Sequence, residues 1–345
     1  MGKMNIKAGI VGLQSVYWPD AFANCLKAIS SVELLACADL GYDPDLVKIS
    51  LGRTPEEYAA RHDMKLYHDP VEMIEAEKLQ AVCICAKHTE IVDWVELVAP
   101  TGVNIYMAKP MATTLEAADR IVKAVRANGV IATSGTTERF DGGIREAYQR
   151  FKSGAIGDLI SIRALHQHGN ISGFPEGDWY WDEAQGGPEL SLMWYAGDVV
   201  RWFAGSEVVR VYAEYDNYLS ENSPFMDNGK IILRFENGVM GSIDICFSVK
   251  GWRFPSYEVE LVGTEGAIRT QQSVYEGTVF TKDGVTNFYR IQNNNLLDEM
   301  RHWVQCCMDR NDPQLTIEDA RSVIELCLAC RQSARTHSPI TLHTR

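Results

Sequence analysis

Between Ile6 and Thr133 the chain alternates short apolar runs with amphipathic stretches that carry helix-start signals, and few folds accommodate that alternation. The runs cover residues 6–11, 32–38, 65–67, 81–85, 104–107 and 130–133, and the longer ones are too continuously apolar for a sheet with one wet face. Helices are expected between them: over 19–29, from Thr54-Pro55-Glu56-Glu57, from Asp69-Pro70, over 90–100, and over 114–128 with Gly129 as the stop. Proline at the first helical position costs no hydrogen bond, and glycine past the last turn takes the left-handed conformation cheaply. Strands separated by helices run parallel with right-handed crossovers, so residues 1–134 read as a doubly wound α/β domain.

Such a sheet binds ligands outside the carboxyl ends of its strands. The first such end is Gly12-Leu13-Gln14-Ser15, followed by a helix, a strand and Asp39, the order of a mononucleotide-binding unit. Of the G-x-G-x-x-G fingerprint only Gly12 is present; Gln14 and Tyr17 hold the other two places, and Gln14 or Ser15 can donate to a pyrophosphate instead. Asp39 has two readings. It accepts from a ribose 2′-hydroxyl and repels a 2′-phosphate, which favours NAD over NADP, or it caps a turn. Cys85-Ala86-Lys87-His88 and Ala108-Lys109 end two further strands and join the expected cofactor crevice. Lys109 is set there by Asn104-Ile105-Tyr106-Met107 before it and Pro110 after it. Thr113 and Glu116 fit a capping box for the next helix.

Composition narrows the partners. A net charge of −13 over 345 residues argues against nucleic acid or an anionic membrane, both of which reward a basic face. No run approaches the ~18 apolar residues of a membrane span, and residues 6–11 are too short for a signal-peptide core. Nine cysteines, an odd number, fit a reducing cytoplasm. Cys306-Cys307 and the Cys327/Cys330 pair fall on helical patterns, where thiols serve as core filler; zinc pairs usually flank turns, so no metal is expected.

After residue 134 the pattern changes. A helix over 138–153 ends at Gly154-Ala155-Ile156-Gly157, and strands follow over 159–166, 206–216, 229–236, 239–247, 256–262 and 277–281. Asn237-Gly238 and Thr264-Glu265-Gly266 supply turns, and helices over 294–309 and 317–335 close the chain. Residues 135–345 therefore read as an α+β domain with a large, mostly antiparallel open sheet.

These features resemble the Gfo/Idh/MocA family, of the glucose–fructose oxidoreductase and inositol dehydrogenase type, over nearly the whole chain. Lys109-Pro110 matches the family's Glu-Lys-Pro, Gly154-Ala155-Ile156-Gly157 its post-helical turn, and Phe235-Glu236-Asn237-Gly238 and Gly263-Thr264-Glu265-Gly266 its sheet turns. The stretch from Gln185 to Trp202 is similar to the one that bears the family's catalytic aspartate and histidine. The resemblance implies a nicotinamide nucleotide in the first domain, a sugar, cyclitol or polyol against the second, and a homodimer or homotetramer through the C-terminal sheet. It also exposes departures. Ala108 stands in place of the glutamate, Ser191 of the aspartate, Tyr195 of the histidine, Ala86-Lys87 of a Thr-Pro pair, and Ile91 of a further histidine.

Oxidising a secondary alcohol requires a hydride acceptor and a group that takes the hydroxyl proton. Tyr195 can take it if the Lys109 ammonium lowers its pKa from ~10; otherwise Tyr195 is a buried aromatic on a helix. His166 and His168 lie on one face of a strand. With Arg139, Trp181 and Ser191 they are expected to line a sugar pocket, and His168 is a second candidate for the proton. Asp178 and Asp182 read as solvated or turn residues. Two other functions stay open: an NAD-assisted lyase or glycosidase with no net redox, and a pseudo-enzyme that binds without turnover.

Overall fold

In a computed structural model the described residues are 5–167, 174–218, 224–248, 256–271, 276–281, 284–289 and 294–342. They fall into two compact units. The first comprises residues 1–135, 174–186 and 296–324, and the second 136–173, 187–295 and 325–345.

The first unit carries β1 (Ile6–Val11), α1 (Trp18–Lys27), β2 (Val32–Ala38), α2 (Pro44–Leu51), α3 (Pro55–Arg61), β3 (Lys65–Tyr67), α4 (Pro70–Glu77), β4 (Ala81–Ile84), α5 (Ile91–Val98), β5 (Asn104–Met107), α6 (Leu115–Asn128) and β6 (Ala132–Ser134). The strands form one parallel sheet in the order β3-β2-β1-β4-β5-β6. The chain thus winds outward from β1 in both directions, and the order reverses beside β1, the position at which sheets of this kind bind ligands. Helix starts follow the local chemistry. Thr54 and Glu57 form a reciprocal capping box, and Asp43 and Asp69 cap the proline-led α2 and α4. The box expected at Thr113 and Glu116 is not formed: Thr114 caps α6, its hydroxyl accepting from Ala117 N at 3.1 Å. With two adjacent threonines, the one that is extended immediately before the first helical residue takes the cap. Helix α2 had no counterpart among the sequence expectations.

The core of this unit is completed from far along the chain. Leu296, Met300, Trp303, Val304, Cys306 and Cys307, on a helix over Asn295–Asp309, are buried with Ile10, Leu13, Phe22, Tyr58 and Tyr106. Trp303 meets Tyr106 edge-on at 5.4 Å. The two cysteines are thus packed as small apolar groups. No cluster of three or more metal-ligating side chains occurs among the described residues. Among the described residues, no helix is long and apolar enough to cross a membrane.

The second unit contains α7 (Gly142–Lys152), β7 (Leu159–Gln167), α8 (Gly187–Ser191), α9 (Met193–Ala204), β8 (Val208–Asp216), β9 (Asn228–Phe235), β10 (Met240–Cys246), β11 (Ser256–Gly263), β12 (Gly266–Gln271), β13 (Glu276–Thr281), β14 (Gly284–Tyr289) and β15 (Ile340–Thr341). The helix over 295–309 is α10, and α11 spans Ile317–Thr336. Nine strands pair in the order β14-β13-β12-β11-β7-β10-β9-β8-β15. Every pairing is antiparallel except β7 with β10. Strands β7, β9 and β10 alternate buried and exposed residues, the pattern of a sheet with one covered face. Strands β12, β14 and β15 were not anticipated. They are short, and β12 and β14 carry weak apolar alternation.

Candidate active site

In the first unit the ladder bonds run one residue past the strands and align the loops that follow them. Gly12 N donates to Ala38 O at 2.8 Å, Cys85 N to Val11 O at 2.7 Å, Ala108 N to Ile84 O at 2.9 Å and Asp39 N to Tyr67 O at 3.0 Å. Gly12, Asp39, Cys85 and Ala108 therefore sit together at the carboxyl edge. Gly12 has φ +83°, and a Cβ there would lie 2.9 Å from Cys85 O, so only glycine lets the β1 loop pass the end of β4.

A dinucleotide fits what this edge presents. Tyr17, the N-cap of α1, makes no side-chain cap; in the first turn Pro19 has no N–H and Ala21 N donates to Tyr17 O at 3.1 Å. Gln14 is 1% exposed and its Oε1 is buried without a hydrogen-bond partner, a group that a ligand donor would satisfy. Leu13 is buried in the core beneath the loop, and Ser15 Oγ accepts from Trp18 N at 3.4 Å. Asp39 is buried at the end of β2, where Oδ1 accepts from Gly41 N at 2.9 Å and from His68 Nδ1 at 2.9 Å. The carboxylate therefore caps its turn, and the His68 bond raises the histidine's pKa. Its remaining lone pairs are available to a ribose hydroxyl.

Lys109 follows β5 and is 7% exposed, with its Nζ 5.8 Å from the centre of the Trp18 ring. His88, beyond β4, is buried, and its Nδ1 donates to Gln185 O at 2.8 Å. Burial, reinforced by the Lys109 ammonium, pushes its pKa down to about 4 against the pull of that hydrogen bond. Lys87 Nζ lies 3.6 Å from Glu90 Oε1 and over the ring of Tyr42.

The segment 174–186 folds onto these loops. Trp179 Nε1 donates to Gln14 O at 2.9 Å, Ser50 Oγ donates to Asp178 Oδ2 at 2.5 Å, and Gln185 Oε1 accepts from Thr89 N at 3.1 Å. Asp178 and Asp182 both cap short turns, as expected, but Asp178 is buried rather than solvated. Trp181 belongs to this segment, its indole N–H on Pro175 O at 2.9 Å. No sequence signal marks these anchors. Trp179, Gln185 and Ser50 have ordinary local roles, and their partners lie far away in the chain.

The second unit holds a separate cluster. His166, on the covered face of β7, donates through Nδ1 to Leu192 O at 2.9 Å. Tyr195, on α9, is buried, 5.6 Å edge-on from His166 and 6.0 Å from Tyr257 between ring centres. Ser191 Oγ donates to Gly187 O at 2.8 Å. Arg139 is held by Asp198: its Nε lies 2.8 Å from Oδ2 and its Nη2 2.5 Å from Oδ1, with Trp202 below the guanidinium. Thr136 donates to the same carboxylate. Asp198 thus occupies the fork that a sugar would need. His168 lies outside the described residues.

Two family models match the chain. Residues 7–136 match the oxidoreductase family, NAD-binding Rossmann fold, and residues 144–269 match the GFO/IDH/MocA C-terminal domain. Myo-inositol 2-dehydrogenase of Thermotoga maritima is 24% identical over 98% of both chains. Scyllo-inositol 2-dehydrogenase (NAD(+)) of Bacillus subtilis is 25% identical over 81% of this chain and 83% of its own. A levoglucosan dehydrogenase solved with NADH and L-sorbose superposes with a TM-score of 0.84 at 18% identity, over 98% of this chain and 99% of the other. A glycine-led loop, an acid at the end of β2 and a buried lysine after β5, under two family matches that together span most of its length, make this chain a member of the Gfo/Idh/MocA family of NAD(P)-dependent oxidoreductases.

Proposed function

We propose that the protein oxidises a secondary alcohol of a cyclitol, sugar or related polyol, with NAD as hydride acceptor. The observation that carries this is Lys109: β5 delivers a buried ammonium to the edge that bears the Gly12 loop and Asp39. When bound, NAD supplies the hydride acceptor. Gly12, Gln14, Ser15, Asp39 and the loops at 85–88 and 108–109 would hold it. The Asp39 carboxylate favours a free ribose hydroxyl over a 2′-phosphate. Lys109 would polarise the substrate hydroxyl, stabilising the oxygen as it loses its proton. Ser191, Tyr195, His166 and His168 are the second unit's candidates for substrate contact, and Tyr195 or His168 for proton acceptance. Arg139 would act by holding Asp198. The cyclitol and sugar names of the relatives support the substrate class.

The test is fluorescence titration with NADH and NADPH, then NADH formation on a panel of inositols, pentoses and hexoses. Tighter NADH binding, with turnover of at least one polyol that Lys109→Met abolishes, is expected. Product without accumulated NADH replaces the reading with an NAD-assisted lyase or glycosidase, and failure to bind either nucleotide removes it. Light scattering on the same sample tests a homodimer or homotetramer through the second unit's sheet, and fractionation of its native cell tests a cytoplasmic location.

A further inference from the structure

The catalytic machinery expected from sequence put the proton acceptor on the second unit. The first unit holds a group of its own with the right chemistry. His88 stands four residues beyond the end of β4, and Lys109 two residues beyond the end of the neighbouring β5. A carbonyl oxygen only accepts, so the bond from Nδ1 to Gln185 O fixes the tautomer with the proton on Nδ1 and the lone pair on Nε2. The ring is also fixed in orientation, 4.9 Å edge-on from Trp179, whose indole N–H is bonded to the carbonyl of Gln14 in the nucleotide loop. Cofactor loop and oriented neutral imidazole are therefore tied together through Trp179, and the Lys109 ammonium acts on that ring.

We propose that His88, through Nε2, accepts the substrate hydroxyl proton in the reaction that Lys109 assists. This rests on the dehydrogenase reading above. In the step, the carbinol C–H bond gives its hydrogen and electron pair to NAD+, the O–H proton passes to Nε2, and the electrons of the O–H bond close the carbonyl. The products are ketone, NADH and an imidazolium, and charge and electrons balance. The charged group acting on the ring is the Lys109 ammonium, which with burial keeps the imidazole in its accepting form at neutral pH. An alkoxide forming beside the ammonium offsets that charge and raises the basicity of the ring as the proton arrives.

Two measurements decide it. The first uses 15N-histidine NMR on the wild-type protein, with the His88 signal assigned by its loss in His88→Gln. A neutral ring protonated on Nδ1 at pH 7, whose Nε2 shift moves when NADH and a polyol are added, is expected. A proton on Nε2, or an imidazolium at pH 7, overturns the proposal whether or not a substrate has been found. The second uses kinetics: His88→Gln and His88→Asn should lower kcat by roughly 10²–10⁴-fold, a far larger factor than any accompanying rise in the NADH Kd. Added imidazole should restore part of the rate to His88→Gly. A kcat near wild type in His88→Gln, with the rate lost in Tyr195→Phe instead, overturns it. So does a loss confined to NADH affinity, which would make His88 a cofactor ligand. If the wild type binds NADH but turns over no polyol, the dehydrogenase reading fails while the NMR still reports on His88.

Discussion

Gly12 and His88 show how strongly single positions are constrained at the crevice. At Gly12 both backbone and space exclude a side chain: φ is +83° and the Cys85 carbonyl would be 2.9 Å from any Cβ. Gly12→Ala should cost about 1–3 kcal/mol in urea denaturation and weaken NADH binding, because the loop must move to relieve the contact. His88 makes a prediction about pH. Its folded-state pKa of about 4 lies below the ordinary value of 6.5, so the unfolded chain binds the proton first. The stability it confers is complete above pH 6.5 and is lost as pH falls towards 4. The full loss is about 3 kcal/mol at ~1.4 kcal/mol per unit. Thermal melts of wild type and His88→Gln between pH 7 and 4 should differ in slope in that window, the wild type falling more steeply. Parallel curves would mean the ring is not held neutral.

At the scale of elements, most helix starts were legible because capping is local chemistry. Thr54 with Glu57, and Asp69 before Pro70, needed only a few adjacent residues to be read. The start of α6 shows the limit of such reading. Thr113 and Thr114 are both plausible caps, and the backbone conformation at Thr114 decides between them. Thr114→Ala should therefore destabilise the protein by about 1 kcal/mol, and Thr113→Ala by much less, measured as urea midpoints at constant m-value. The reverse ranking would restore the Thr113–Glu116 box. Short edge strands were missed for a related reason. Two residues at β15 carry no periodicity, and their pairing with β8 is set by the chain that brings them there.

On the scale of the whole molecule, the nucleotide-binding unit is not a contiguous stretch. Residues 174–186 are tied to its loops, and residues 296–324 complete its core. Arg126 pairs with Asp312 and Glu318, Thr133 Oγ1 donates to Leu315 O, and Trp303 is fully buried against Tyr106. Trp303→Ala should consequently cost about 3–5 kcal/mol and abolish NADH binding near the new midpoint, although it lies far in sequence from every nucleotide-binding residue. A fragment of residues 1–135 should lack a cooperative unfolding transition; a fragment that folds and binds NADH would contradict that dependence.

The sequence by itself determined the alternation of parallel strands and helices, the change to a mostly antiparallel sheet after residue 134, and the strand-end positions of Gly12, Asp39 and Lys109. Each of these follows from short-range periodicity, capping and turn chemistry, which neighbouring residues carry between them. Only the tertiary structure decided that Arg139 is bound by Asp198, that Trp181 belongs with the nucleotide loops, and that Gln185 fixes the tautomer of His88. Those roles depend on which distant side chain or carbonyl occupies the available lone pair. Burial then sets the charge state, and neither spacing nor composition records where a group is buried.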